Sequence, residues 1–283
     1  MAIVTAGGVA GGLAGPFLGS QFASAFGRTP YVGAFVTLSL VCVCLAASQM
    51  LLSADLGRDG REPTAPAPAV PFRWNIEFGK ASVICAAGFA AMTLTMNAAP
   101  LSMQQCGFAL PASAAVLQAH FALMYLPSLF NPPLAVRIGL RGLVSVGIAA
   151  GAIGCALTAM LAQTFGVYVI ELGLSGIAWN FIFNGGTLLL ASSYPAAAKT
   201  QAQGLNSLFV YSANLLASFG AGALMASYGW QLVNLACLPL LAVAGFALWP
   251  RRVVGPAIPL QHGNGNMRLP QPLSAARRNR AGR

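Results

Sequence analysis

Long apolar stretches with almost no charge are the feature that most limits what this chain can fold into. A helix needs about 20 mostly apolar residues to cross the hydrocarbon core of a bilayer. The 283 residues contain about eight such stretches, so the sequence predicts an all-α polytopic membrane protein whose main partner is the lipid bilayer. The predicted spans are 3–27, 31–53, 79–102, 110–131, 142–162, 166–190, 205–226 and 229–249.

Composition argues against the other classes of protein. Hydrophobic residues make up 57% of the chain and charged residues only 7%, whereas about 25% of a soluble domain is charged. So few charges cannot cover a water-facing surface. The six cysteines and two histidines are scattered, which predicts neither a metal site nor a disulfide framework. We expect no cofactor, since no P-loop or dinucleotide fingerprint is present.

Two polar segments divide the chain into four parts. Residues 54–78 contain most of the acidic residues and the alternating prolines of Pro63–Pro68, which is typical of a solvated linker. Residues 251–283 carry seven arginines and are predicted to form a basic, disordered tail. The sequence therefore predicts two helices in 1–53, a linker in 54–78, six helices in 79–250 and a tail in 251–283.

Positive charge predicts the orientation in the membrane. With eight spans, fourteen of the fifteen lysines and arginines lie on one side and only Arg28 lies on the other. The positive-inside rule makes the basic side cytoplasmic. We therefore expect a multi-pass protein of the bacterial inner membrane with both termini in the cytoplasm, and no nucleic-acid partner. Because the first span has no basic flank and is too long for a secretory signal, we expect the chain to begin inside a larger protein.

Glycines follow one face of the first span. Gly7, Gly11, Gly15 and Gly19 are spaced by four residues and therefore share a helix face. A face without side chains lets another helix approach closely, and Pro16 removes one backbone donor and bends the helix. The pattern fits a hinge or tight helix pair that governs access to a transport path, and it equally fits ordinary packing.

Two ionisable residues inside predicted spans are candidates for proton coupling. Glu171 is the only acid within a span, and such residues tend to mark ion or substrate paths. His120 lies near the middle of the fourth span and is a possible proton carrier. The alternatives are that Glu171 is a solvated residue at the end of its span and that His120 is a hydrogen-bond donor between helices.

Polar side chains recur at helical spacing on the third, sixth and seventh spans. Such stripes must face protein or water, so they could line a substrate cavity or form hydrogen bonds between helices. Trp179, beside one of these amides, could stack on the ring of a solute or simply pack. The candidate substrate-binding residues are Asn97, Trp179, Asn180, Asn184, Tyr211 and Asn214.

Three segments resemble the major facilitator superfamily of transporters. Gly11–Ser20 resembles the GxxxGPxxG antiporter motif of the family's fifth helix. The residues around Arg137, Gly139 and Arg141 resemble the cytoplasmic G-x-L-x-D-R-x-G loop, with Val136 in place of the motif's Asp. Gly176–Phe181, followed by Gln201–Asn206, looks like the helix 10–11 region of bacterial members.

The resemblance implies a partial transporter fold: the last two helices of an N-terminal half, followed by a whole C-terminal half. It implies alternating-access transport of a small solute, with the third and sixth spans lining the cavity. We expect proton coupling and no enzymatic activity. The pattern of amides and hydroxyls fits sugars, drugs, vitamins and organic acids equally well. Alternatives are an inactive fragment, one piece of a split transporter that needs an N-terminal half, and a non-transporting membrane scaffold.

Overall fold

The computed structural model of the chain describes residues 2–23, 25, 32–58 and 71–249, with side chains described from residue 7 in the first helix and up to residue 51 in the second. Within these ranges the regular structure is entirely helical, which confirms the prediction of an all-α polytopic membrane protein. The described part of the chain contains seven α-helices and two short 3₁₀ turns, Leu126–Leu129 and Ala196–Ala198. The helices are α1 (Ala2–Phe22), α2 (Val32–Arg58), α3 (Ile76–Gln105), α4 (Leu110–Tyr125), α5 (Asn131–Met160), α6 (Phe165–Ala191) and α7 (Lys199–Ala247).

The count of membrane-length helices in the described residues differs from the eight predicted spans. In the described part of the chain, six helical segments are long and apolar enough to cross a membrane. The predicted first span corresponds to α1, a helix of 21 residues. The predicted spans 205–226 and 229–249 correspond to the two helical segments of α7, which are separated by the non-helical backbone of Gly229.

The two halves of α7 form a hairpin. Near its start, the Gln201 side chain accepts a hydrogen bond from the Phe72 backbone N–H at 2.8 Å. Just past its end, the Trp249 carbonyl accepts one from Lys80 Nζ at 3.2 Å. Both ends of α7 therefore lie beside the start of α3, so the chain reverses between them. Gly229 permits the reversal, since its φ of 76° and ψ of −178° suit only glycine.

A second glycine of this kind separates a short helical segment from a span in α5. Gly139 has φ 74° and ψ 166°. The residues before it belong to the predicted cytoplasmic loop, and those after it form the span predicted for 142–162. Pro132 near the helix start is favourable there, because the first turn has unpaired backbone N–H groups in any helix.

The core lies among α3 to α7. Helix α3 packs on α6 and α7, α5 packs on α6 and α7, and α4 packs on α6. Helix α1 packs on α4, and α2 packs mainly on α1, with most of its side chains exposed. The proline run of the predicted linker and the predicted tail 251–283 lie outside the described residues, which include only 54–58 and 71–78 of that linker.

Candidate functional site

Helix α6 is the centre of the candidate site because it contacts α3, α4 and α5 at once. It begins at Phe165 after Thr164, whose side chain accepts a hydrogen bond from the Val167 backbone N–H. Gly176 faces the α4 backbone, where a Cβ would lie 2.7 Å from the His120 carbonyl oxygen. Gly186 faces α3 in the same way, with a Cβ position 2.8 Å from Cys85 Sγ. Glycines on two faces therefore let α6 approach both neighbours closely.

Glu171 is buried within this bundle. It is 2% exposed, and its Oε2 has no hydrogen-bond partner among the described residues. It lines a cavity of about 20 Å³ together with Thr95 of α3, Cys155 of α5 and Cys237 of α7. The Thr95 hydroxyl is 2.9 Å from that of Ser175, which also lines the cavity. The acid and the neighbouring hydroxyls and thiols thus share one small, otherwise mainly apolar cavity between four helices.

His120 approaches α6 from the opposite side. It is fully buried, and its Nδ1 lies 2.7 Å from the Leu172 carbonyl oxygen. Because a carbonyl oxygen only accepts, Nδ1 is the donor. The His120 side chain does not line the cavity around Glu171, so the structure does not bring the two candidate proton carriers into one site.

Aromatic rings form a cluster beside that cavity. Trp179 stacks on Phe183 with ring centroids 5.0 Å apart and planes 10° apart. Phe89 of α3 meets Trp179 edge-on at 5.7 Å, and Tyr125 of α4 does so at 6.2 Å. Tyr211 of α7 contacts Phe89 at 6.4 Å and is 64% exposed. We call these five residues the aromatic cluster; it joins four helices and is open at Tyr211.

Two hydrogen bonds between α3 and α7 lie at the same spacing. Thr93 donates to Asn214 Oδ1, and one turn further along both helices Asn97 Nδ2 donates to Ser218 Oγ at 2.6 Å. Because both residue numbers rise together, α3 and the first half of α7 run parallel. Asn97 and Asn214 are half-buried and keep some polar atoms available at this surface.

The two amides predicted on α6 differ in their surroundings. Asn180 is 1% exposed; its Oδ1 accepts a hydrogen bond from Asn131 at 2.9 Å and its Nδ2 donates to the Met124 carbonyl at 2.7 Å. These bonds connect α6 to the end of α4 and to the start of α5. Asn180 therefore fits the alternative of hydrogen bonding between helices. Asn184 is half-buried with no recorded hydrogen bond, so it is the more available of the two amides.

The glycines of α1 that contact another helix differ from those singled out by spacing. A Cβ on Gly12 would lie 2.5 Å from Phe121 Cβ of α4, and one on Gly8 would lie 2.8 Å from the Tyr125 ring. Gly11, Gly15 and Gly19 instead line an apolar groove of about 680 Å³ between α1 and α2, with no atom within 4 Å of an added Cβ.

Pro16 and the residues of the loop motif complete the predicted set. Pro16 lies inside α1, which continues past it to Phe22. Arg137 and Arg141 are exposed on either side of Gly139, and neither forms an ion pair within the described ranges. The structure thus separates these residues from the cavity and from the aromatic cluster.

Sequence analysis missed several residues of this region. Phe183 follows Trp179 at the i, i+4 spacing that brings two rings together, so that pair could have been found. Thr95, Cys155 and Cys237 come from three other helices, and no local pattern links them to Glu171.

Comparisons with known proteins point to membrane transporters. The chain is 32% identical over 155 residues to the riboflavin transporter RfnT of Brucella anthropi, a match that covers 55% of this chain and 39% of RfnT. It is 32% and 33% identical to the MFS-type transporters YdeG and YddS of Bacillus subtilis, over 40% and 39% of this chain and 26% of each transporter. The matches thus span well under half of these relatives. No family model and no solved structure matches the chain.

Proposed function

The chain is a homologue, over part of its length, of transporters of the major facilitator superfamily, and we propose that it forms part of the path of a small solute across a lipid bilayer. The observation that carries the proposal is the face on which the aromatic cluster lies beside the polar pairs of α3 and α7. Polar groups at membrane depth must face protein or a water-filled path. Transport follows by alternating access of this face to the two sides.

We propose further that the solute is planar and aromatic, with riboflavin as the first to test. The name of RfnT supplies that candidate, and the rings of Phe183 and Tyr211 supply flat apolar surface for it. Stacked or edge-on ring pairs contribute about 0.5–1.5 kcal/mol beyond their buried area. The half-buried amides Asn97, Asn184 and Asn214 offer donors and acceptors for the polar substituents of such a solute.

Uptake of labelled riboflavin tests this function. The chain is expressed in a bacterium that neither makes nor imports riboflavin, and initial uptake is measured against an empty vector. Phe183→Leu should raise KM by about 2- to 12-fold, because one ring of the stack is lost. Phe246→Leu is the matched control, since Phe246 is 77% exposed and outside the cluster. Uptake equal to the empty vector, or equal losses in both variants, would contradict the proposal.

We propose that a proton drives this transport through Glu171. A charged carboxylate without a partner is costly inside a membrane bundle, and a bound proton removes that cost. The titratable groups facing it are Cys155 from α5, Cys237 from α7 and Tyr168 on its own helix. From α3 the Thr95 hydroxyl lines the cavity, while His120 of α4 does not line it and has its Nδ1 committed to the Leu172 carbonyl.

The isosteric variant Glu171→Gln separates coupling from transport itself. It should abolish uptake driven by a pH gradient while leaving exchange of labelled for unlabelled solute intact. His120→Gln is the comparison, because its loss should affect folding yield more than the response to pH. Gradient-driven uptake that persists in Glu171→Gln would remove this acid from the coupling mechanism.

The alternative is that the chain is one piece of a split transporter, and two observations favour it. The glycine face of α1 lines an open apolar groove, and the relatives are longer than the matched region. A chain that binds riboflavin but transports it only when the remaining part of a relative is co-expressed would support this alternative. We propose that the protein lies in a bacterial inner membrane, because its relatives are bacterial. Its basic residues favour a cytoplasmic linker and tail.

A further inference from the structure

A groove of about 620 Å³ lies between the first part of α3 and both halves of α7, and it shares no wall residue with the cavity around Glu171. Its volume is in the range of sites that bind small organic molecules. The α3 wall extends from Ile76 to Ala86, which at 1.5 Å per residue is about 15 Å. Because the hydrocarbon core of a bilayer is about 30 Å thick, the groove is about as deep as one leaflet.

The deeper part of the groove is apolar. Its wall includes Val83 and Ala86 of α3 and Ala213 of the first half of α7. Val83 is 40% exposed. The hydroxyl of Ser82, also in this wall, is buried and presents no polar atom to the groove. A hydrocarbon chain fits such a wall, whereas a polar solute would find no hydrogen-bond partner along it.

The end of the groove at the helix termini is aromatic and basic. Trp74 meets Phe209 edge-on at 5.8 Å and is 56% exposed, and tryptophan is typical of the membrane–water interface. Lys80 is the charged residue among those that line the groove. Its Nζ lies 3.4 Å from Glu77 Oε1 and 3.2 Å from the Trp249 carbonyl oxygen. These contacts use two of its three donors, so one remains for a ligand.

Positive charge outweighs negative charge at this end. Arg73, which precedes Trp74, is exposed and forms no ion pair with any residue that the structure describes. The Glu77 side chain is 56% exposed, so its pair with Lys80 is weak. Two basic side chains beside one solvated acid favour an anionic group. The basic residues of the chain favour this side as cytoplasmic, and basic pockets between helices on that side bind anionic lipid head groups.

We propose that this groove binds one anionic phospholipid. Its phosphate lies beside Lys80 Nζ, its glycerol backbone lies against the Trp74 ring, and one acyl chain lies along Val83, Ala86 and Ala213. The bound lipid contacts α3 and both halves of α7, so it holds the two ends of the α7 hairpin at the start of α3. The site does not depend on which solute the chain transports.

Native mass spectrometry of the full chain tests the charged end, with phosphatidylglycerol and phosphatidylcholine of identical acyl chains as probes. The wild type should bind phosphatidylglycerol more tightly than phosphatidylcholine. Lys80→Gln should weaken the binding of phosphatidylglycerol about fivefold, the factor that about 1 kcal/mol per basic residue gives, and should leave that of phosphatidylcholine unchanged. Lys199→Gln is the matched control, since Lys199 is exposed and outside the groove wall.

Val83→Trp tests the acyl-chain part without changing any charge. Because Val83 is 40% exposed, the larger ring occupies the groove rather than the core, and binding of phosphatidylglycerol should fall. An anion site without a lipid would be weakened by Lys80→Gln and not by Val83→Trp, and that result would overturn the proposal. Equal affinities of the wild type for the two lipids, or equal losses in Lys80→Gln and Lys199→Gln, would overturn it as well.

Discussion

Replacing Gly176 with alanine should destabilise the bundle by about 1–3 kcal/mol. The new Cβ would lie 2.7 Å from the His120 carbonyl oxygen and 3.1 Å from the Met124 backbone nitrogen. Both contacts are backbone atoms of α4, which cannot rotate away as a side chain can. Helices α4 and α6 must therefore separate by several tenths of an ångström, and overpacking of this kind costs about 1–3 kcal/mol.

Two smaller effects on the free energy of unfolding nearly offset each other. Separation of the helices stretches the His120 Nδ1 bond to Leu172 and the Asn180 Nδ2 bond to Met124, each 2.7 Å long. Hydrogen bonds between membrane helices contribute about 0.6 kcal/mol each, so this loss stays near 1 kcal/mol. Alanine has a helix propensity that is better than that of glycine by about 1 kcal/mol. The overpacking cost therefore decides the result.

The assay is unfolding of the full chain in mixed micelles with increasing SDS, followed by tryptophan fluorescence. Gly222→Ala is the matched control, because a Cβ there meets nothing within 4 Å and gains the same helix propensity. It should unfold at the same SDS fraction as the wild type or slightly above it. Equal midpoints for the two variants would refute the close approach of α4 and α6.

Three other outcomes follow from the structure. Gly229→Ala should lower stability in the same assay by about 1–3 kcal/mol, because φ 76° with ψ −178° strains any other residue. Asn180→Leu should cost about 1–2 kcal/mol and Asn184→Leu much less, since only the first breaks recorded hydrogen bonds; equal losses would contradict that difference. In intact spheroplasts an impermeant maleimide should label exposed Cys106, with mass spectrometry as the readout, and should leave buried Cys155 unmodified until the chain is unfolded.

The membrane-spanning character of the chain could be predicted because it depends on composition averaged over about 20 residues. The tight reversal within α7 could not. Around Gly229 the sequence has neither charge nor proline, and only the backbone angles show that one glycine replaces a loop. The spacing of the α1 glycines was visible, but contact with α4 depends on Phe121 and selects Gly8 and Gly12.

Part of the candidate site could likewise be anticipated from single residues. Glu171 stands out because it is the only acid in a predicted span. Its neighbours Cys155 and Cys237 are ordinary cysteines of apolar runs until α5 packs on α6 and α7 packs on α3 and α5. Trp179 contributes to both the ring cluster and the cavity wall because α3 and α4 pack against α6. Contacts between distant helices of this kind have no signature in the local sequence.

The hairpin of α7 bears on how the chain enters the membrane during synthesis. Between Lys199 and Arg251 the sequence has no acidic or basic residue, so the reversal at Gly229 can cross the bilayer without carrying any formal charge. The two helical segments on either side of that glycine can therefore leave the translocon together, as one paired insertion unit. Lys199 and Arg251, which flank the unit, would keep its two ends on the same side of the membrane.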